Sequence, residues 1–280
     1  MNCIILDDYQ NISLNLANWY ELENINVTNL TQHLQGNNLV KALYNADIIV
    51  IMRERTPLTR ALLDRLPNLK LIVTSGMRNN SIDIDATTEK NITVCGTKSL
   101  KQPPMELTWA LILNLSRHLL KETNAIKNNS SWQSTLGYSL QGKTLGLLGL
   151  GHIGKLMVPV AKAFEMNVIA WSPNLTKKRC NDVDITFAES KEELFKRSDF
   201  ISIHLVLGAQ TKNLVTYDDL SLMKRSAFLI NTSRAEIINQ NDLIKALNEN
   251  KFSGAGLDVF EQEPLPENHP FRKLNNVKDC

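Results

Sequence analysis

Thr144-Leu145-Gly146-Leu147-Leu148 runs without a break into Gly149-Leu150-Gly151-His152-Ile153-Gly154, and an amphipathic stretch over residues 155–165 follows. An apolar run of strand length, this glycine spacing and a helical pattern read as a strand, a tight turn and a helix N-terminus. In a mononucleotide-binding βαβ unit the first glycine makes the turn and the second lets the backbone approach a pyrophosphate. The third packs helix on strand, while free N–H groups and the helix dipole face the phosphates. Glycine turns also arise for purely structural reasons, so the flanks decide. Asn167-Val168-Ile169-Ala170-Trp171 follows as a second strand, which completes the βαβ context. The turn at Gly149, Gly151, His152, Ile153 and Gly154 is therefore expected to bind a dinucleotide.

A chain of 280 residues that is 43% hydrophobic can bury a sizeable core, and its length favours two domains. Lys plus Arg number 31 against 29 Asp plus Glu, so charge gives no reason to expect nucleic acid or an anionic membrane as partner. Apolar runs such as residues 48–52 and 109–113 are too short to span a bilayer. Residues 1–8 read as a first strand rather than a signal peptide, which predicts a cytoplasmic protein. Cys3, Cys95, Cys180 and Cys280 stand far apart without a C-x-x-C pair. Neither a metal site nor a disulfide framework is expected, and Cys3 and Cys95 read as inert thiols in core strands.

Outward from the glycine turn, short apolar runs alternate with helical patterns. Strands are expected near residues 3–6, 26–30, 47–52, 70–74 and 91–95, with helices near 13–21, 39–45, 59–66 and 83–89. After Pro103 and Pro104, residues 105–128 read as one long helix, apolar around much of its circumference, that needs burial on several sides. Further strands fit residues 184–187, 199–205, 227–231 and 252–259, and helices fit 191–196, 217–224 and 240–248. This rhythm predicts an α/β protein of two doubly wound parallel-sheet domains. Ligands of such sheets bind beyond the carboxyl ends of the strands, which directs attention to residues 75–81, 172–179, 231–236 and 258–263.

Three segments carry a family resemblance: Gly149-Leu150-Gly151-His152-Ile153-Gly154, Ile230-Asn231-Thr232-Ser233-Arg234-Ala235, and Gly256-Leu257-Asp258-Val259-Phe260-Glu261-Gln262-Glu263-Pro264-Leu265-Pro266. The chain resembles the D-isomer-specific 2-hydroxyacid dehydrogenases, which include phosphoglycerate, glyoxylate and hydroxypyruvate, D-lactate and formate dehydrogenases. The resemblance implies a flavodoxin-like substrate domain over residues 1–101, without its usual closing helix, and a Rossmann NAD(P)-binding domain over residues 102–280. It implies an oxidoreductase that moves a hydride between NAD or NADP and a small 2-hydroxy or 2-oxo acid. Arg234 then grips the substrate's carboxylate and carbonyl oxygen with its planar fork of donors. Glu263 matches the carboxylate that orients the catalytic histidine and raises its pKa. Asp258 matches a contact at the nicotinamide end of the cofactor, and Thr232, Val206 and Thr211 match positions lining the nicotinamide and ribose. Gly76, Met77 and Arg78 fall in the loop whose backbone holds the substrate carboxylate; Arg78 is either a second cation there or a solvated side chain. Arg53 and Arg55, just after the 47–52 strand, either face the same cleft or are surface charges, with the second reading favoured. The long helix resembles the family's dimer-forming element, so a homodimer is expected.

Ser172 stands where NAD-preferring domains place an acid for the ribose hydroxyl, and Lys177-Lys178-Arg179 follows. That run is either a 2′-phosphate site or a solvated turn, with a slight lean to NADP. The family's catalytic histidine lies in a Pro-His segment one strand beyond the position of Glu263, and the sequence reaches Cys280 before it. Lys278-Asp279-Cys280 breaks the pattern of that strand. His269 reads as a turn residue, His152 and His204 as structural or cofactor-side, and His33 and His118 carry no motif. Reduced or absent hydride transfer is therefore expected, with a non-catalytic dinucleotide-binding protein acting through protein partners as the alternative.

Overall fold

The computed structural model describes residues 1–279, and they form two compact units that divide between Leu100 and Lys101. In the first unit, strands β1 (Asn2–Ile5), β2 (Asn26–Asn29), β3 (Ile48–Ile51), β4 (Leu71–Thr74) and β5 (Thr93–Gly96) alternate with helices α1 (Gly36–Leu43), α2 (Arg60–Leu63) and α3 (Ile84–Glu89). The strands pair in parallel in the order β2-β1-β3-β4-β5. That is the flavodoxin-like order, with its switch point between β1 and β3. Leu43, Ile49, Leu58, Leu63 and Ile72 are fully buried and anchor the core.

The second unit opens with α4 (Gln102–Arg117) and α5 (Leu119–Lys127), and its sheet comprises β6 (Thr144–Leu148), β7 (Asn167–Trp171), β8 (Thr186–Phe187), β9 (Phe200–Ile203), β10 (Phe228–Asn231), β11 (Gly254–Leu257) and β12 (Val277–Asp279). Helices α6 (His152–Ala163), α7 (Lys177–Asn181), α8 (Lys191–Arg197), α9 (Tyr217–Ser221) and α10 (Gln240–Asn248) make the crossovers. The order β12-β11-β10-β9-β6-β7-β8 is all parallel and reverses between β6 and β9, as a Rossmann sheet does. Alternation along each strand feeds two cores. In β10, Leu229 joins one core while Phe228 and Ile230 join the other. The expected α/β architecture of two parallel-sheet domains is therefore what the chain adopts.

Several local expectations need correction. Residues 13–21 form two short 3₁₀ turns, Ser13–Asn15 and Trp19–Glu21, rather than a helix, and neither buries a side chain. Asp8 captures the segment instead: its carboxylate accepts the amides of Ile12 and Ser13, the Ser13 hydroxyl and the Asn29 amide. The long helix is broken at His118, which is left-handed at φ 53°, because the Asn114 side chain takes the Leu120 amide. Residues 277–279 continue as an edge strand beside β11. A side chain at Gly254 would sit 2.3 Å from the Asn276 carbonyl, so its absence lets the chain approach. Cys95 is exposed, since β5 lies at the edge of its sheet.

Candidate functional site

Steric contacts at the glycine turn explain its first and third glycines. Gly149 adopts φ 110°, and a Cβ there would lie 2.6 Å from the His204 carbonyl oxygen. A Cβ on Gly154 would lie 2.3 Å from the Gly149 carbonyl oxygen, so the third glycine lets α6 seat on the turn. At Gly151 the nearest atom to such a Cβ is 4.0 Å away, which leaves open space beside the backbone. The Gly149 amide bonds the Trp171 carbonyl at 2.9 Å and ties the ends of β6 and β7. Among the described residues, the amides of Leu150, Gly151, His152, Ile153 and Gly154 donate to no protein acceptor. Unpaired amides at the head of a twelve-residue helix suit a diphosphate, so this donor set fits a dinucleotide.

Behind the turn, His204 continues the β6–β9 ladder through its amide to Leu148 O, and its Nε2 meets Ser202 Oγ at 2.9 Å. Desolvation of the imidazole pushes its pKa down to about 4, so it is neutral at physiological pH. At the end of β7, Ser172 is half-buried, Lys177 and Lys178 are exposed, and Arg179 reaches from α7 to donate to the Leu150 carbonyl at 2.9 Å. The basic run thus borders the glycine turn. Thr211 closes its own loop, with its hydroxyl accepting from the Gly208 amide at 2.8 Å and donating to Val206 O at 2.7 Å. Val206 is 80% exposed.

Beyond β10, buried Asn231 organises the segment that carries Arg234. Its side-chain amide donates to Arg234 O at 2.9 Å and accepts from the Ser233 amide at 3.0 Å. The Ser233 hydroxyl reaches Leu205 O at 2.5 Å, and the Asp258 amide reaches Asn231 O at 3.0 Å. Thr232 meets Thr108 of α4 at 2.8 Å; Thr108 donates to Pro104 O, so the Thr232 hydroxyl is the donor of that pair. The Arg234 guanidinium is half-buried and donates from Nη1 to Ser233 O at 2.6 Å. Glu263 accepts the Phe260 amide at 3.1 Å. Parallel strands deliver residues 149–154, 172, 204–211, 232–234 and 258 to one carboxyl edge. Asn231, Ser233 and Thr108 position this edge, and only the polar run after β10 signalled any of them in the sequence.

In the first unit, Gly76 at φ 83° turns the chain after β4, and its amide donates to Thr97 Oγ1 at 3.0 Å. The amides of Met77, Arg78, Asn79 and Asn80 have no protein acceptor among the described residues. Arg53, for which a surface position was the favoured of two readings, lies over this turn: its amide bonds Ser75 Oγ at 3.0 Å, and Nη1 stands 3.1 Å from where a Gly76 Cβ would be. Asp7 and His33 escaped the sequence reading. The Asp7 carboxylate accepts from His33 Nδ1 at 2.8 Å, Thr56 Oγ1 at 2.6 Å and Tyr9 Oη at 3.2 Å. Their wide spacing in the chain hides the cluster. His269 caps a 3₁₀ turn by accepting the Phe271 amide, and desolvation and nearby Arg272 lower its pKa. Among the described residues no His, Cys, Asp and Glu group could hold a metal, and no helix is long and apolar enough to cross a membrane.

Comparison with known proteins matches these features to relatives. Residues 109–278 match the model of the D-isomer specific 2-hydroxyacid dehydrogenase, NAD binding domain. A D-3-phosphoglycerate dehydrogenase of Methanocaldococcus jannaschii is 34% identical over 259 residues, 91% of this chain and 49% of that protein. A glyoxylate reductase of Aeropyrum pernix is 36% identical over 225 residues, 77% of this chain and 67% of the relative. The chain thus spans from about half to two thirds of the length of these relatives. A phosphoglycerate oxidoreductase structure from Vibrio cholerae superposes with a TM-score of 0.95 at 35% identity, covering 100% of this chain and 90% of the other. With both sheet orders and the glycine turn in agreement with these matches, the chain belongs to the D-isomer-specific 2-hydroxyacid dehydrogenase family.

Proposed function

We propose that this chain binds NAD or NADP at the glycine turn and exchanges a hydride with a small 2-oxo or 2-hydroxy acid. The observation that carries the proposal is the row of unpaired amides over residues 150–154, on the same sheet edge as the Asn231-braced Arg234 segment. When bound, the nicotinamide supplies or accepts the hydride. Gly149 makes the turn, and the amides of Gly151, His152, Ile153 and Gly154 hold the diphosphate. Val206, Thr211, Thr232 and Asp258 border the nicotinamide and its ribose. Arg234 presents two parallel donors to the carboxylate and carbonyl oxygen of the acid, which draws charge toward the oxygen where it develops. Glu263, by its family match, is the carboxylate that would orient a catalytic imidazole. The open amides of Met77, Arg78, Asn79 and Asn80, with Arg53 beside Gly76, receive the substrate's carboxylate.

A lean toward NADP is supported by Arg179, which stands at the glycine turn with Lys177 and Lys178 nearby, and by Ser172 where an acid would repel a 2′-phosphate. Exposed Leu119, Leu120 and Ile126 of α5, with Trp132 and Leu136 after it, support a homodimer that covers this apolar face. Glyoxylate and hydroxypyruvate are the first substrates to try. The deciding experiment titrates the protein with NADPH and NADH by fluorescence and then follows oxidation of each with both acids. Saturable binding is expected, and turnover with either acid supports hydride exchange by this chain. Binding without turnover favours a partner-directed, non-catalytic role, and no binding of either dinucleotide overturns the proposal.

A further inference from the structure

Asp7 lies at the switch point of the first sheet, where ligands of doubly wound folds gather. It is 4% exposed and sits at φ 58° in the left-handed region, where a side chain other than glycine is strained. Across the neighbouring strand end, Glu54 adopts φ 63° in the loop that follows β3. Two strained residues on adjacent strand ends need something to hold them. The Asp7 carboxylate does so, with Thr56 Oγ1 on one oxygen and His33 Nδ1 and Tyr9 Oη on the other. His33 is oriented in turn by Gln35, whose side-chain amide meets Nε2 at 3.0 Å.

The loop between β3 and Thr56 is thereby pinned at both ends. Its start is fastened to β4 by the Arg53 amide on Ser75 Oγ at 3.0 Å, and its end to β1 by the buried Thr56 hydroxyl on Asp7 at 2.6 Å. The guanidinium of Arg53, the residue at the first pin, lies over Gly76, and the open amides of residues 77–80 follow Gly76 in the chain. We infer that Asp7, steadied by His33, is a positioning residue for the anion site of the first unit: through Thr56 it fixes the loop that aims Arg53 at the bound acid. Removing either pin frees the loop to relax its left-handed turn, and the guanidinium then leaves Gly76. The inference rests on the reading that residues 76–80 with Arg53 receive the substrate's anionic end.

Oxalate, an unreactive mimic of a 2-oxo acid, tests this on the full chain saturated with NADPH. The set comprises wild type, Asp7→Asn, Thr56→Val, Thr56→Ser, Arg53→Ala and the double variant Thr56→Val/Arg53→Ala, each also titrated with NADPH alone. Asp7→Asn and Thr56→Val are expected to weaken oxalate about tenfold, the scale of one hydrogen bond to a charged group, with NADPH affinity unchanged. Thr56→Ser keeps the hydroxyl and restores binding. In the Arg53→Ala background Thr56→Val adds nothing further, because its effect runs through Arg53. Full oxalate binding by Asp7→Asn and Thr56→Val overturns the inference alone, as does a Thr56→Val loss that persists undiminished without Arg53. Failure of the wild type to bind oxalate while binding NADPH overturns the anion-site reading and the inference with it. Should Asp7→Asn not fold, the Thr56 and Arg53 variants decide.

Discussion

The two units solve the same problem by different means. Each is a parallel sheet with polar groups gathered at its carboxyl edge, yet the glycine turn of the second is built from backbone alone, whereas the first braces its edge with a side-chain cluster. At the glycine turn, recognition groups are amides, and the requirement on sequence is negative: no side chain at 149 or 154. At the edge of the first sheet, Asp7, His33 and Thr56 converge from three separate strand ends. A backbone site is written locally, because a tight turn and a close approach need glycine at fixed spacing. A side-chain cluster is written across the whole chain and is visible only after the fold has brought its members together.

The sharpest way to break this contrast is Gly149→Val. At φ 110° a β-branched residue is strained, and its Cβ would meet the His204 carbonyl at 2.6 Å, a backbone atom that cannot step aside. The expected cost is about 3 kcal/mol or more, with dinucleotide affinity lost by more than about 100-fold. Thermal melting and NADPH titration check it. Unchanged binding would mean that the turn does not hold the diphosphate. Arg234→Ala comes next. It removes the guanidinium fork but leaves the Asn231 brace, whose bond is to the backbone carbonyl of residue 234. Loss of charge-assisted bonds worth about 3 kcal/mol predicts a fall in kcat/KM of about 100-fold with dinucleotide affinity retained. Arg234→Lys is expected to recover little, since an ammonium cannot offer the parallel pair of donors.

Acid separates the units in a third way. His204 has its pKa lowered from 6.5 to about 4, so the folded second unit disfavours the protonated imidazole. The unfolded chain takes up that proton first, and stability is full above pH 6.5 and falls as pH drops toward 4. The expected loss is about 2 kcal/mol by pH 5. In the first unit, desolvation alone would raise the Asp8 pKa, but its bonds from Ser13, Asn29 and Ile12 outweigh this and hold it at about 2. Its contribution is present above pH 3.8 and is lost only as pH falls toward 2. Hydrogen exchange by segment across pH 7 to 4 should therefore show the second unit loosening first, and His204→Asn should flatten that dependence. Loosening of both units together would show that this histidine does not set the order.

How much of this was legible follows from the same physics. The parallel character of both sheets was readable because apolar runs alternating with helical patterns call for crossover connections. The glycine turn was readable because its constraint is steric and local. The break at His118 was not, since it depends on Asn114 capturing an amide two residues beyond the break, a choice that apolar periodicity does not encode. The 3₁₀ turns at residues 13–21 were hidden likewise, because Asp8 and Asn29 are what hold that segment. For Arg53 the surface reading was favoured over the cleft one, because nothing local shows that the loop after β3 folds over Gly76. Asn231 and Ser233 stood inside a quoted motif, but their work as braces is a matter of hydrogen-bond geometry.

The smallest expected effect concerns which dinucleotide the second unit prefers, and it tests whether side chains matter even at a backbone site. Arg179 is exposed along much of its side chain, but its guanidinium donates to the Leu150 carbonyl and so stands beside the turn. Lys177 and Lys178 are exposed. If a 2′-phosphate is read here, Arg179→Ala should weaken NADPH by about tenfold while leaving NADH nearly unchanged, the scale of one charge-assisted bond at a partly solvated site. Because the same substitution removes the bond to Leu150, Lys178→Ala serves as the control. It lowers local positive charge without touching the turn, and its effect should be smaller and should fade as salt is raised. Equal weakening of NADH and NADPH by Arg179→Ala would instead assign Arg179 to holding the turn, and the second unit's choice would then rest on backbone and Ser172 alone.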